Sequence, residues 1–398
     1  MSRRIALIGL LVAGFGAVPS ARAGLYNTAD AEAETRLSPN FEGVFRSVLG
    51  DLRSVSAAKP DRESTLRKRY VLMEALGAKA IPDLRTLEEK LNYSVVLIRR
   101  NKADEAISLL QPLTREHPDN LIVQSHFATA HFLSSSEDFR ARATDLMRQT
   151  LSIWPERWDD LDDARKAYLA RLGWEGLYEQ NRKYEVYFEK LIRHRIREEA
   201  RRKKKLPIEE TIDPLFVGND QDKKPVRFVS DAGKFEAGRL ADAERARLPG
   251  DAIEIVEQLL VWMPNDLRLY WLLGELLNAN AMTRKTDAEK YQDIRSSYLI
   301  MKELVEGWRD APKELGEHHA VLKNYLEMTP APNPIAVGEL KNIIDDPDKD
   351  TNPPLTAEQW WRALVVGFVT GFAIGLFALW QIQEMRRRRQ ARAMADRG

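Results

Sequence analysis

Apolar positions recur at helical spacing along most of the chain. Val44, Phe45, Val48, Leu49, Leu52 and Val55 form one stripe, with Ser38-Pro39 ahead of it as a cap and first-turn proline; the pattern predicts a helix. Lys59-Pro60-Asp61 interrupts it, and Leu66, Tyr70, Met73 and Leu76 predict a second helix over Ser64–Ala78. Pro82 opens a third through Leu84, Leu87, Leu91, Val95 and Ile98. Helices of similar length separated by short breaks point to a structural repeat with a period of roughly thirty to fifty residues.

Three helix ends share one design: Glu116-His117-Pro118-Asp119-Asn120, Ile153-Trp154-Pro155-Glu156 and Trp262-Met263-Pro264-Asn265-Asp266. In each, an apolar helix stops just before a proline and polar residues able to cap the next helix follow. An alanine stands twelve residues before each proline (Ala106, Ala143 and Ala252), where a small side chain lets two helices sit close together. Large–small pairs occur at Tyr93-Ser94, Phe127-Ala128 and Leu273-Gly274. With these residues the chain resembles the tetratricopeptide repeat family. The large–small pair matches the family's first helix, the alanines match the small residue of its second helix, and Pro118, Pro155 and Pro264 match its closing proline. Two units are clear, Leu87–Pro118 and Asp119–Pro155. A helix-two fragment, Asp251–Pro264, leads into another pair at Leu267–Trp308. Two features depart from the family: a Ser134-Ser135-Ser136 turn about three residues longer than it expects, and an insertion around Thr283–Glu289. The resemblance implies an all-α, solenoid-like body.

The segments between the repeats read differently. Residues 159–205 are helical but match the repeat poorly. A stripe of Tyr184, Tyr187, Phe188, Leu191 and Ile196 runs into cations at 193–197 and 201–205. The run is either a solvated helix end whose charges complement the dipole or a dock for an anionic surface, and the first reading is preferred. In 206–249, Pro207, Pro214 and Pro225 break the helical pattern. Alternation on either side of Asp231-Ala232-Gly233 suggests a small hairpin, lying either across the solenoid's groove or, as preferred, on the surface as a loop. Residues 329–358 carry six prolines among acidic side chains and read as an extended stalk. Its Asp346, Asp348, Asp350 and Asn352 alternate as in a calcium loop, but the turn glycine and the closing glutamate are missing.

The two ends predict a compartment. Residues 1–23 combine Arg3-Arg4, a short apolar run and Ala21-Arg22-Ala23, the pattern of a cleaved secretory signal. From Ala363 to Trp380 there is no charge, 18 residues or ~27 Å of helix. Trp360, Trp361 and Trp380 mark the edges, and Arg386-Arg387-Arg388-Arg389 follows as a cytoplasmic stop. The expectation is a bacterial inner-membrane protein with its body exported, a membrane helix within 359–381 and a basic tail at 382–398. Gly367, Gly371 and Gly375 share one face of that helix, either as a seam for homo- or hetero-oligomers or because glycine is common in such helices.

Composition narrows the chemistry. The 398 residues hold no cysteine and balance 61 basic against 60 acidic side chains. The first excludes disulfides, thiol nucleophiles and thiolate metal sites; the second argues against a nucleic-acid partner. No Walker loop, dinucleotide fingerprint, nucleophile elbow or zinc-protease motif occurs. His126 and His131 are five apart, off a shared helix face, and Glu314, His318 and His319 read as a surface group. Neither metal nor cofactor is expected, and no catalytic residue is singled out.

The domain plan expected is a helical pair at 24–82, repeats at 83–158, a degenerate pair at 159–205, the insert at 206–249, and repeats with a terminal helix at 250–328. Its function is expected to be protein or peptide binding rather than catalysis. Family resemblance places Arg99, Ser125, Thr129, Arg268, Trp271, Glu275 and Asn278 on first-helix faces lining a groove, with Trp271 and Arg268 as the residues carrying most binding energy. The rival readings are an envelope enzyme working through carboxylates, which requires a cleft with a carboxyl of strongly raised pKa, and an assembly subunit associating through its membrane helix.

Overall fold

In the computed structural model, the residues described are 45–57, 64–80, 84, 86–205, 212–217 and 224–331, and all fall in one compact unit. They contain thirteen α-helices and two 3-10 turns, with no strand among them. The chain is therefore all-α over these residues, arranged as successive antiparallel helices in the manner of a helical repeat.

The order is α1 (Arg46–Ser56), α2 (Thr65–Ala80), α3 (Leu87–Arg99), α4 (Ala103–Glu116), α5 (Leu121–Leu133), α6 (Glu137–Ile153), α7 (Asp163–Arg171) and α8 (Tyr178–Lys203). A short α9 (Asp242–Arg245), α10 (Ala252–Trp262), α11 (Leu267–Asn280), α12 (Asp287–Gly307) and α13 (Lys313–Met328) follow. Successive helices pack on one another from α1 through α6 and from α10 through α13; α8 packs on both α6 and α10.

Local chemistry sets the boundaries. The third helix starts at Leu87 rather than at Pro82 because Thr86 and Glu89 form a reciprocal capping box. Asn120 after Pro118 accepts from the Ile122 and Val123 amides, and Asp266 after Pro264 accepts from those of Arg268 and Leu269. The apolar stripes merge into one continuous core from Phe45 to Leu322, so no helix pair buries its own face alone. Ala106, Ala128, Ala143 and Ala252 are buried within it, as are Phe127 and Leu273. Of the three prolines, Pro264 is buried, Pro155 half-buried and Pro118 exposed. Gly274 lies where α11 crosses α12; a Cβ there would sit 3.2 Å from Ile300 Cγ2.

The stack turns back on itself. α1 packs against α10, Arg53 Nε donates to the Pro264 carbonyl at 2.6 Å, and Asn265 Nδ2 donates to Ser56 Oγ at 2.8 Å. The aromatic knot Trp154, Trp174 and Tyr178 joins the end of α6 to the start of α8, with Trp154 and Tyr178 stacked 6.0 Å apart.

The insert differs from a hairpin. Ser230 and Lys234 close a turn, with the Ser230 amide donating to the Lys234 carbonyl at 2.8 Å, but no strand ladder extends from it. Part of the basic run is not solvated either. Arg195 donates to the Asp266 carboxylate at 2.9 Å and to Asp213, and Arg140 of α6 donates to Glu199 at 2.9 Å. These cations tie α8 to its neighbours because α8 is enclosed between α6 and α10.

No helix among the described residues is long and apolar enough to cross a membrane. The leader at 1–23, the stalk beyond 331, the segment 363–380 with Gly367, Gly371 and Gly375, and the tail at 382–398 lie outside the described residues.

Candidate interaction site

The seven residues expected to line an open groove lie on α3, α5 and α11, and six of them are buried. The elements that cover them come from far along the chain. Ser125 Oγ donates to Glu185 Oε1 of α8 at 2.8 Å, and Thr129 Oγ1 turns back onto the Ser125 carbonyl at 2.9 Å. Arg99 Nη1 donates to the Trp262 carbonyl at 3.3 Å. Arg268, the one half-buried member, pairs with Glu198 of α8. The faces carrying these four residues meet α8 and α10 rather than solvent.

Trp271, Glu275 and Asn278 form a second group on α11. Trp271 Nε1–H donates to Glu275 Oε1 at 2.7 Å, and His318 Nδ1 of α13 donates to the same oxygen at 2.6 Å. Trp271 and Glu275 are fully buried and His318 is 8% exposed. His318 is thus not part of a surface group, because its partner is supplied by another helix. Burial works against the His318 imidazolium, but the Glu275 carboxylate, joined by Glu314 and Glu317, offsets it and lifts the pKa above the ordinary histidine value. Its neighbour His319 stacks on Tyr298 at 5.2 Å.

The insert crosses this face. The Phe235 ring stacks flat on the His318 imidazole, 3.8 Å between centroids and 9° between planes. The Gly238 amide donates to Asn278 Oδ1 at 2.7 Å, and Asn278 Nδ2 donates to the Glu236 carbonyl at 3.0 Å. One carboxamide therefore holds both a donor and an acceptor of a backbone turn, which the Arg239 amide closes onto the Glu236 carbonyl at 3.3 Å. Gly238 adopts φ +67°, and a Cβ there would lie 3.0 Å from Ile294 Cδ1; both conformation and space favour glycine. Beside the strap lies a cleft of about 640 Å³, bounded by Glu236, Gly238, Met282, Ile294 and Tyr325. Of the two placements open from sequence, the insert takes the one across the inner face of α11.

Other titratable groups lie away from this site. Burial pushes the Glu185 carboxyl up to about 8 against the opposing Ser125 hydrogen bond, yet Glu185 is 0% exposed and lines neither the cleft beside α11 nor the cavity near α1. Burial holds His126 down to about 3, with Ser94 Oγ 3.3 Å from its Nδ1. An apolar cavity of about 310 Å³ opens where α1, α3, α5 and the α10–α11 turn converge, lined by Leu52, Ile98, Phe132 and Trp262. No group of three His, Asp or Glu suited to a metal occurs among the described residues.

Sequence reasoning named Trp271, Glu275 and Asn278, placed His318 in a surface group and Phe235 in a hairpin rather than together beside α11, and did not single out Gly238. The only signals for them were a histidine on a terminal helix and an aromatic–glycine spacing inside the insert. In comparisons with known proteins, no family model, no curated protein and no solved structure matches the chain.

Proposed function

We propose that the chain is a membrane-anchored, extracytoplasmic interaction scaffold whose tetratricopeptide-like helix pairs present the α11 face to an extended segment of a partner protein. The observation that carries this reading is the Asn278 carboxamide, which holds the Glu236 carbonyl and the Gly238 amide at hydrogen-bond distance. A helix that holds main-chain groups through a buried carboxamide in this way has the chemistry to hold those of a partner, since backbone contacts supply affinity and flanking pockets supply selectivity. The leader pattern at 1–23, the uncharged run at 363–380 and the arginine tail support attachment to a bacterial inner membrane with the body exported.

The test is purification of the full-length, tagged chain from detergent-solubilised membranes after cross-linking in intact cells. The reading expects a protein partner in near-stoichiometric amount, cross-linked through probes on α11 or the insert. A chain that purifies without any partner under these conditions overturns it. Protease added to the periplasmic side should digest the body and leave an epitope in 382–398 intact; the reverse pattern overturns the orientation.

A further inference from the structure

We infer that the cavity where α1, α3, α5 and the α10–α11 turn converge is a binding site for a small carboxylic acid with an aliphatic tail, a medium-chain fatty acid. The site lies apart from the insert on α11 and goes beyond the scaffold reading. Its walls are apolar. Leu52, Ile98, Phe132 and Trp262, from α1, α3, α5 and α10, are each at most 9% exposed, yet between them about 310 Å³ stays open. Close-packed helices leave few hollows larger than a water molecule, and this one reaches the size of a small-molecule pocket. Polar groups of one kind border it. Arg99, 4% exposed, lines the cavity and donates from Nη1 to the Trp262 carbonyl at 3.3 Å. The Trp262 indole N–H and Arg195 Nη1 are buried and meet no hydrogen-bond acceptor among the described residues; Glu198 Oε2 lies 3.8 Å from the latter. The bordering carboxylate, Asp266, is engaged by Arg195 and by the Arg268 and Leu269 amides. The wall thus offers hydrogen-bond donors and a positive balance of charge, Arg99 and Arg195 against Asp266.

These surroundings set the chemistry of the ligand. A buried donor without an acceptor costs free energy that a ligand oxygen recovers, and a carboxylate takes hydrogen bonds from a guanidinium more strongly than a neutral oxygen does. An aliphatic tail removes water from Leu52, Ile98 and Phe132. A sugar or nucleotide would set its own polar groups against those walls without partners, and an amine would meet Arg99 and Arg195 with like charge. At about 30 Å³ per water-sized group, the cavity holds about ten non-hydrogen atoms, the size of octanoate. Its walls belong both to the first helices and to the α10–α11 turn, so a seated acid also strengthens the junction between them.

The experiment embeds the full chain in phosphatidylcholine nanodiscs and titrates octanoate, octanol and octylammonium by calorimetry, with the heat of empty discs subtracted. Octanoate should bind saturably, octanol about tenfold more weakly and octylammonium not at all. Arg99→Met keeps an apolar chain of similar length and should erase the preference for octanoate over octanol. Asn265→Trp, on the exposed rim of the cavity, should block both. Octanoate uptake no greater than that of empty discs overturns the inference, and so does equal affinity for octanoate and octylammonium. An Arg99→Met chain that keeps its helical circular dichroism and its full preference for the acid overturns it too. If that variant unfolds, Asn265→Trp decides, and undiminished octanoate binding by it is the overturning result. Tighter binding of the dipeptide acetyl-Ala-Leu than of octanoate would assign the cavity to the C-terminal end of a protein and overturn the fatty acid. None of these outcomes bears on a partner cross-linked at α11, so the two readings fail separately.

Discussion

Glu185 sits in the core with the Ser125 hydroxyl as its hydrogen-bond donor, and its stability contribution follows from that placement. Its folded pKa, about 8, lies above the ordinary 4.5. The neutral acid is the form that the fold favours, so stability falls as pH rises from about 4.5 through 8. Glu185→Gln should therefore raise the stability at pH 8 by roughly 1–3 kcal/mol and change little at pH 4. Urea melts at both pH values check this; a pH-independent difference would exclude ionisation as the cause. His318 has a raised folded pKa for the opposite kind of group. Its contribution is complete below about 6.5 and is lost as pH rises through the elevated folded value. His318→Gln should remove that part of the alkaline decline, measured by the same melts. Trp271 also reads differently at this scale. It is fully buried, so replacing it by alanine tests core packing, at a cost of about 3–5 kcal/mol, rather than partner contact.

Between helices, Gly274 marks a close approach of α11 to α12. Valine there would place branched methyl groups against Ile300, 3.2 Å from the built Cβ position, and should destabilise the protein by about 1–3 kcal/mol. Gly274→Ala should cost much less, because its gain in helix propensity, about 1 kcal/mol, offsets the crowding. Equal urea midpoints for the valine variant and the unmodified chain would show that α11 and α12 can part without loss. The helices themselves were legible because their signals are local: apolar spacing, the prolines that stop α4, α6 and α10, and the Asn120 and Asp266 caps. What covers the inner faces was not. Ser125 meets Glu185 60 residues away, Asn278 meets Gly238 40 away, and Glu275 meets His318 43 away. No periodicity within a helix encodes such pairings, so the inner-face residues were found while their burial was missed.

Among the described residues, α1 ties the first helices to the α10–α11 turn. Arg53 reaches the Pro264 carbonyl over a separation of 211 residues, and its guanidinium lies 4.5 Å from the Tyr270 ring centroid. Arg53→Ala should lower stability by about 1–3 kcal/mol and leave unfolding as a single transition by tryptophan fluorescence and circular dichroism. A separate early melt of the first six helices would show that the two halves fold independently. The contact also sets an order of events for a nascent chain emerging from the N-terminus. The apolar stripe of α1 meets α2 early but gains the part of its cover that α10 supplies only after the chain through Trp262 has been released. Until then it is a natural target for a holdase or a quality-control protease, and a product truncated before Pro264 would carry that degradation mark permanently.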